Sequence, residues 1–367
     1  MIILPKPKLE KLRMSDKQTQ KAGDNSRLVQ ARTVNIGIDE KRVREIVEEK
    51  LSIALRDFTS EANTVANERS GKFNTSLIKR MVQESALTAF SDPSFQILLI
   101  EAQKSAASTE REQDYDLLSE LMVHRFQKGS NRIVRAGIYR AVEIVDQISD
   151  EALLAITVFH SVSYFIPVSG DMEQGLKTMD NLFSKVIYNS LPTDGKWLDH
   201  LDILDAIRVS FFGGMKLLED YWYDQFDGYL RNGIEEESEK HKEAKDILIK
   251  AGLGQACLVK NSFIEKYVKI AVVNKNMLLK LSITNTSGKR PINDDERSAL
   301  EKVYDLYDGN KMSKEDFIKE IERYPNLKKL REWWNTLKEQ NIQITSVGKV
   351  LAHSNAQRID RSLPPLD

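Results

Sequence analysis

Residues 152–170 read ALLAITVFHSVSYFIPVSG, the longest run in the chain without Asp, Glu, Lys or Arg. A membrane-spanning helix needs about 20 predominantly apolar residues. This run contains His160, Ser161, Ser163, Tyr164 and Ser169, and Pro167 ends its helical part early. It therefore reads as a helix buried in the core of a water-exposed, helical body. Ser149, Asp150 and Glu151 precede it, supplying a cap and acidic charge where the helix dipole is positive.

Working outward, the same grammar repeats. Val134, Ile138, Ala141, Val142, Val145 and Ile148 recur at helical spacing upstream, and Leu176, Met179, Leu182, Phe183, Val186 and Ile187 do so downstream. Pro93 suits a first helical turn after Ser91-Asp92, while 167–170 and 191–195 read as turns. Aromatics at Trp222, Phe226 and Tyr229 keep core spacing. The chain reads as helical throughout from Asp39 to about residue 230. Residues 231–250 then read as a break and a solvated helix, and 256–283 as mixed with strand, notably Ile270–Val273 and Leu278–Ile283. Thr284–Pro291 reads as a loop and a domain boundary. Beyond it, helices are expected over 294–307, 313–323, 326–340 and 346–361, with an alternating β segment at 341–345. Three helices, a strand and a helix resemble the close of a winged-helix module, an analogy of fold that carries no function.

The chain has 367 residues, 54 Lys+Arg against 55 Asp+Glu, and a net charge of −1. That balance excludes a globally basic nucleic-acid coat and an acidic tail protein. Cys257 is the single cysteine, so there is no intrachain disulfide framework or thiolate zinc cluster, as suits a reducing cytoplasm. Five histidines leave little supply for a metal centre.

The N-terminus differs from the rest. Residues 1–13 read as a leader or extension before Met14, with too short an apolar run for a signal peptide. Gly23-Asp24-Asn25-Ser26 reads as a tight turn, and Leu28–Gln30 and Thr33–Ile38 as short β segments. Such strands bury little alone and need a partner. Asp39 then caps a long helix whose apolar stripe is Val43, Val47, Leu51, Ala54, Phe58, Ala62 and Val65. Its eleven-residue period fits a nearly straight bundle among copies. An ordinary amphipathic helix laid on the body fits the stripe equally well. The expected organisation is thus 1–13 leader, 14–38 β-prone association segment, 39–90 long helix and connector, 91–284 helical body and 292–367 C-terminal winged-helix-like unit. The fold class is mainly α, with a short N-terminal β segment.

Little chemistry emerges. Asp308-Gly309-Asn310 through Glu315 has the glycine and glutamate of a calcium loop, but Tyr304 and Leu306 stand where carboxylates are required. Asp199, His200 and Asp202 are the only acid–base grouping, and adjacent residues diverge around a helix, leaving these acids solvated. Gly252-Leu253-Gly254 fails the dinucleotide pattern, and Gly213-Gly214 reads as a close approach or kink. No catalytic, metal or cofactor residue is assigned. Trp333-Trp334 cannot both face one core, so one is expected partly exposed. With Lys328, Lys329 and Arg331 it forms the local candidate for an acidic partner or nucleic acid.

Gln20–Ser26 with Gly-Asp-Asn-Ser, then Gln30-Ala31 and Val34-Asn35-Ile36, resembles a segment opening many bacterial proteins. Here Ala31-Arg32-Thr33 replaces the usual Gly-Gly-Asp. With Ile344–Asn355, the chain is similar to a bacterial helical family carrying that opening, often near signalling or defence proteins. The resemblance implies a defence or stress setting and no catalytic residue. The expected protein is a non-enzymatic homo-oligomer, trimer favoured: a scaffold, sensor or effector in a bacterial cytoplasm, without membrane contact or cofactor. Another protein is a further expected partner. Association falls to Asp24, Asn25, Ser26, Leu28, Gln30, Val34, Ile36, Ile38, Val43, Val47 and Leu51. The alternative is a nucleic-acid-responsive regulator acting through the C-terminal unit, and an unrecognised hydrolase ranks last.

Overall fold

The computed structural model describes residues 40–168, 170–210, 212–254, 257–285 and 288–366. Contacts divide the chain into residues 1–61 and 62–367. In the first unit the described part is the beginning of helix α1, Glu40–Gln83, which continues into the second. The expected residues Asp24 to Ile38 lie outside the described residues. Val43, Val47 and Leu51 fall on described helical backbone.

The second unit is mainly helical, with a few short antiparallel strands. Its principal helices are α2 (Pro93–Ser108), α3 (Glu112–Lys128), α4 (Arg132–Ile144), α5 (Asp150–Tyr164) and α6 (Met172–Val186). They start where local chemistry directs. Asp92 accepts from the Ser94 N–H ahead of Pro93, Ser149 caps Ala152, and Asp171 caps Gln174. The charge-free run quoted first forms α5, where residues 152–162 are all buried. It is a core helix, and among the described residues no helix is long and apolar enough to cross a membrane.

After α7 (Lys196–Ile203) comes a strand that the helical reading missed, β1 (Ile207–Ser210). Four residues carry too little pattern to announce it. Helices α8 (Leu218–Gln225) and α9 (Asp227–Leu230) follow, and Trp222, Phe226 and Tyr229 are buried at the spacing expected. Gly214 does mark a close approach: a Cβ there would lie 2.5 Å from the Lys338 carbonyl oxygen.

The chain then builds a second core. Strands β2 (Ile234–Glu235), β3 (Leu258–Lys260) and β4 (Tyr267–Ile270) form an antiparallel sheet in the order β2-β4-β3. Helix α10 (Glu239–Lys250) and helix α11 (Asp294–Asp305) pack over one another, burying Ala244, Leu248, Leu300 and Val303. Of the segment expected as a loop, residues 284–285 and 288–291 lie instead in the paired antiparallel strands β5 (Ser282–Asn285) and β6 (Gly288–Pro291). Backbone pairing satisfies a segment whose side chains give no apolar alternation. An Asn293–Glu296 capping box starts α11, and Arg290 beside Glu296 pulls that carboxyl down to about 2. Lys269, 2% exposed, ties this core to the helices by donating to the Tyr229 and Arg231 carbonyls at 2.7 and 3.2 Å.

Helices α12 (Lys314–Glu322) and α13 (Pro325–Thr336), strand β7 (Asn341–Ile344) and helix α14 (Ser346–Ile359) return to the first core. The C-terminal region thus has the helices and strand expected of it, but their partners lie upstream. Strand β7 pairs with β1, Ile344 opposite Ile207, and α14 packs on α3, α4 and α5. Gly348 makes that docking possible, because a Cβ there would stand 2.0 Å from the Ala206 carbonyl oxygen. Gly348→Ala is therefore expected to destabilise by about 3 kcal/mol through overpacking. Helix propensity alone favours alanine by about 1 kcal/mol. A urea midpoint at or above the parent's would contradict the packing account.

Candidate functional site

The C-terminal half of α1 lies beside α3 and buries Phe73, Leu77 and Met81 in the core, each at most 1% exposed. Beside this seam runs a ladder in constant register. Lys72 donates to Glu112 at 3.3 Å, Ser76 to Asp116 at 2.5 Å, and Arg80 to Glu120 at 2.5 and 3.0 Å. Steps of four on both helices mean that they run parallel. Glu120 is buried, so losing Arg80 would strand its charge. A 520 Å³ groove along the ladder carries both signs of charge, Lys72, Lys79 and Arg80 beside Glu112, Asp116 and Glu120.

One face of α1 changes exposure along its length. Ala62 lies eleven residues, about three turns, before Phe73 and on the same face. Phe73 is buried, yet Ala62, Asn63, Thr64 and Val65 are all exposed. Ala62 and Val65 are the last two positions of the apolar stripe read from sequence, and the body does not cover them.

The C-terminal patch is not gathered on one surface. Trp333 and Trp334 are both 5% exposed, correcting the expectation that one would be partly exposed. Helix α13 is enclosed on two sides, so adjacent indoles reach different neighbours. Trp333 donates to the Pro192 carbonyl at 2.8 Å, and Trp334 to that of Lys216 at 3.0 Å. Arg331 holds Glu219 with two hydrogen bonds of 3.0 and 3.1 Å and Glu322 with a third. Only Lys328 and Lys329 of the five are exposed.

Nor do Asp199, His200 and Asp202 converge. His200 Nε2 accepts the Ser149 N–H at 3.1 Å, while Asp199 and Asp202 face solvent. Arg208 pairs with Asp205 at 2.8 Å and reaches Asp202 at 4.0 Å. Among the described residues no group of three or more His, Cys, Asp or Glu could hold a metal ion.

The structure does gather three histidines that the sequence scatters. His124 on α3, His160 on α5 and His353 on α14 are each at most 2% exposed. His353 Nε2 lies 3.0 Å from the Pro364 carbonyl, which can only accept, so that nitrogen carries the proton. Its Nδ1 then accepts from His160 Nε2 at 3.2 Å. By the same logic His124 Nε2 donates to Gln357 Oε1, and its Nδ1 accepts from Ser354 at 2.9 Å. Gln357 in turn donates to the Leu363 and Pro364 carbonyls, and Asn355 donates to Thr157 at 2.9 Å. Burial holds His160 down near 4 and His353 near 3, and lowers His124 as well. The cluster is a neutral, buried network pinning α14 and the tail. His353-Ser354-Asn355 in sequence was the only hint, since their partners lie some two hundred residues away.

The chain belongs to the protein family described as ":-like", whose model matches residues 37–363. No curated protein and no solved structure matches the chain.

Proposed function

We propose that this member of the family is a non-enzymatic, homo-oligomeric module. Residues 14–38 and the first part of α1 associate between copies, a trimer being the favoured state. The supporting observation is the apolar face of α1, buried at Phe73 and uncovered at Ala62 and Val65. A helix draws most of its stability in water from packing an apolar face, and identical helices in other copies supply one. The role that follows is a scaffold, sensor or effector in a bacterial cytoplasm. The resemblance of the opening segment points to a defence setting.

Light scattering on the full chain tests this reading. The intact protein is expected to have a mass two or more times that of one chain, about three for a trimer. Val47→Glu with Leu51→Glu is expected to return it to a single chain without lowering the melting temperature of the body. A single-chain mass for the parent, or an unchanged oligomer in the double variant or after deletion of 14–38, rejects the proposal.

A further inference from the structure

The segment Leu121–Val142 contains no Asp or Glu but carries Arg125, Lys128, Arg132, Arg135 and Arg140. The fold disposes of some of this charge. Arg140 pairs with Glu143 at 3.2 Å and reaches Asp205 at 3.8 Å. Arg125, 7% exposed, donates to Asp92 at 3.0 Å and Ser94 at 2.6 Å. Asp92 is occupied further by the Ser94 amide and hydroxyl. The guanidinium groups of Arg132 and Arg135, one turn apart on α4, have no hydrogen bond or ion pair among the described residues.

These two guanidinium groups line a groove of 460 Å³ between α2 and α4. Its apolar wall is formed by Ile97, Leu98 and Tyr139, and no carboxylate lines it. Ile97 remains 57% exposed at the mouth. The contrast with the α1–α3 groove is one of charge balance. There Glu112, Asp116 and Glu120 stand among the cations, whereas here two unpaired cations lie over an apolar floor.

We propose that this groove binds a phosphorylated small molecule of nucleotide size. The phosphate sits on Arg132 and Arg135, and the planar or apolar part lies against Ile97, Leu98 and Tyr139. Three properties select this ligand. The volume lies within the usual range of small-molecule sites, about 300–1,000 Å³. A planar guanidinium matches phosphate oxygens in pairs, and one dianionic group balances two such cations. A nucleic-acid strand needs a longer track of free cations than two arginines and Lys128 provide. The groove lies within the body, so its occupancy does not depend on association between copies.

Calorimetric titration of the full chain at fixed, low salt tests the assignment. The probes are the four ribonucleoside 5′-monophosphates, adenosine, inorganic phosphate, a short single-stranded oligonucleotide and a glutamate-rich peptide. At least one monophosphate is expected to bind once per chain, more tightly than phosphate or adenosine alone. Arg132→Gln with Arg135→Gln is expected to weaken it by about tenfold or more, the loss of charged hydrogen bonds. Lysine at both positions is expected to recover part of that affinity. Neither variant should lower the melting temperature, since neither arginine has a partner to lose. The assignment is overturned if no monophosphate binds better than phosphate, if the glutamine variant binds as well as the parent, or if only the oligonucleotide or the peptide responds to it.

Discussion

Lowering the pH from 6.5 to 5 is expected to cost the folded protein about 2 kcal/mol for each of His160 and His353. In the unfolded chain these rings take up protons near 6.5, whereas burial delays uptake to about 4 and about 3 in the folded state. Between those values the unfolded state binds more protons, so stability rises with pH and is lost as pH falls below 6.5. His124, shifted the same way, adds to the slope. Carboxylates depressed by partners, such as Glu296, begin to contribute only below the ordinary carboxyl value of 4.5. Asp114, pushed up by burial, acts in the opposite sense. Because His160 donates to His353, the pair titrates as a unit, and a proton on His353 Nδ1 removes the acceptor of the bond between them. Urea midpoints measured from pH 7 to pH 4.5 give the slope. A flat profile above pH 5 would mean that the three rings do not sit in this dry network.

Trp334→Ala is expected to remove about 3–5 kcal/mol of stability. The indole stacks on Phe159 with ring centroids 4.8 Å apart and on Tyr221 at 6.2 Å, and its N–H holds the Lys216 carbonyl. Truncation leaves a cavity where α5, α8 and α13 meet and an unpaired backbone oxygen beside it. Lys328→Ala and Lys329→Ala, on the exposed side of the same helix, are expected to stay within about 0.5 kcal/mol of the parent. Denaturant unfolding of the three variants separates a packing role from a contact role. A Trp334 variant as stable as the parent would return the indole to the list of surface residues.

How far the sequence could be read depended on the range of the interaction. Ser149 and Pro93 announced helix starts because a cap acts within three residues, whereas the Asp171 cap went unread. The absence of charge over 152–170 announced a core helix because every face of α5 is covered, and no partner had to be known. Trp222, Phe226 and Tyr229 kept helical period and are buried. The failures have the opposite character. Strand β1 acquires its meaning from β7, far along the chain, and the β5–β6 pair is held by backbone bonds that leave no side-chain pattern. Trp333 and Trp334 defeated a one-core argument because α13 is walled by different helices on its two sides. The candidate sites fared likewise: Arg331 is an unremarkable surface residue until Glu219 is placed beside it.

What the sequence determined alone is the local: a mainly helical chain, the positions of most helix starts, a charge-free central helix, and an acid-free basic run from 121 to 142. Only the tertiary structure decided which polar groups meet. It closed His124, His160 and His353 into one dry network, spent Arg125, Arg140 and Arg331 on internal acids, and left Arg132 and Arg135 without one. The physical reason is that a cap or an apolar period acts over a few residues of one segment, while a charge or a hydrogen bond takes its meaning from a partner that folding alone brings near.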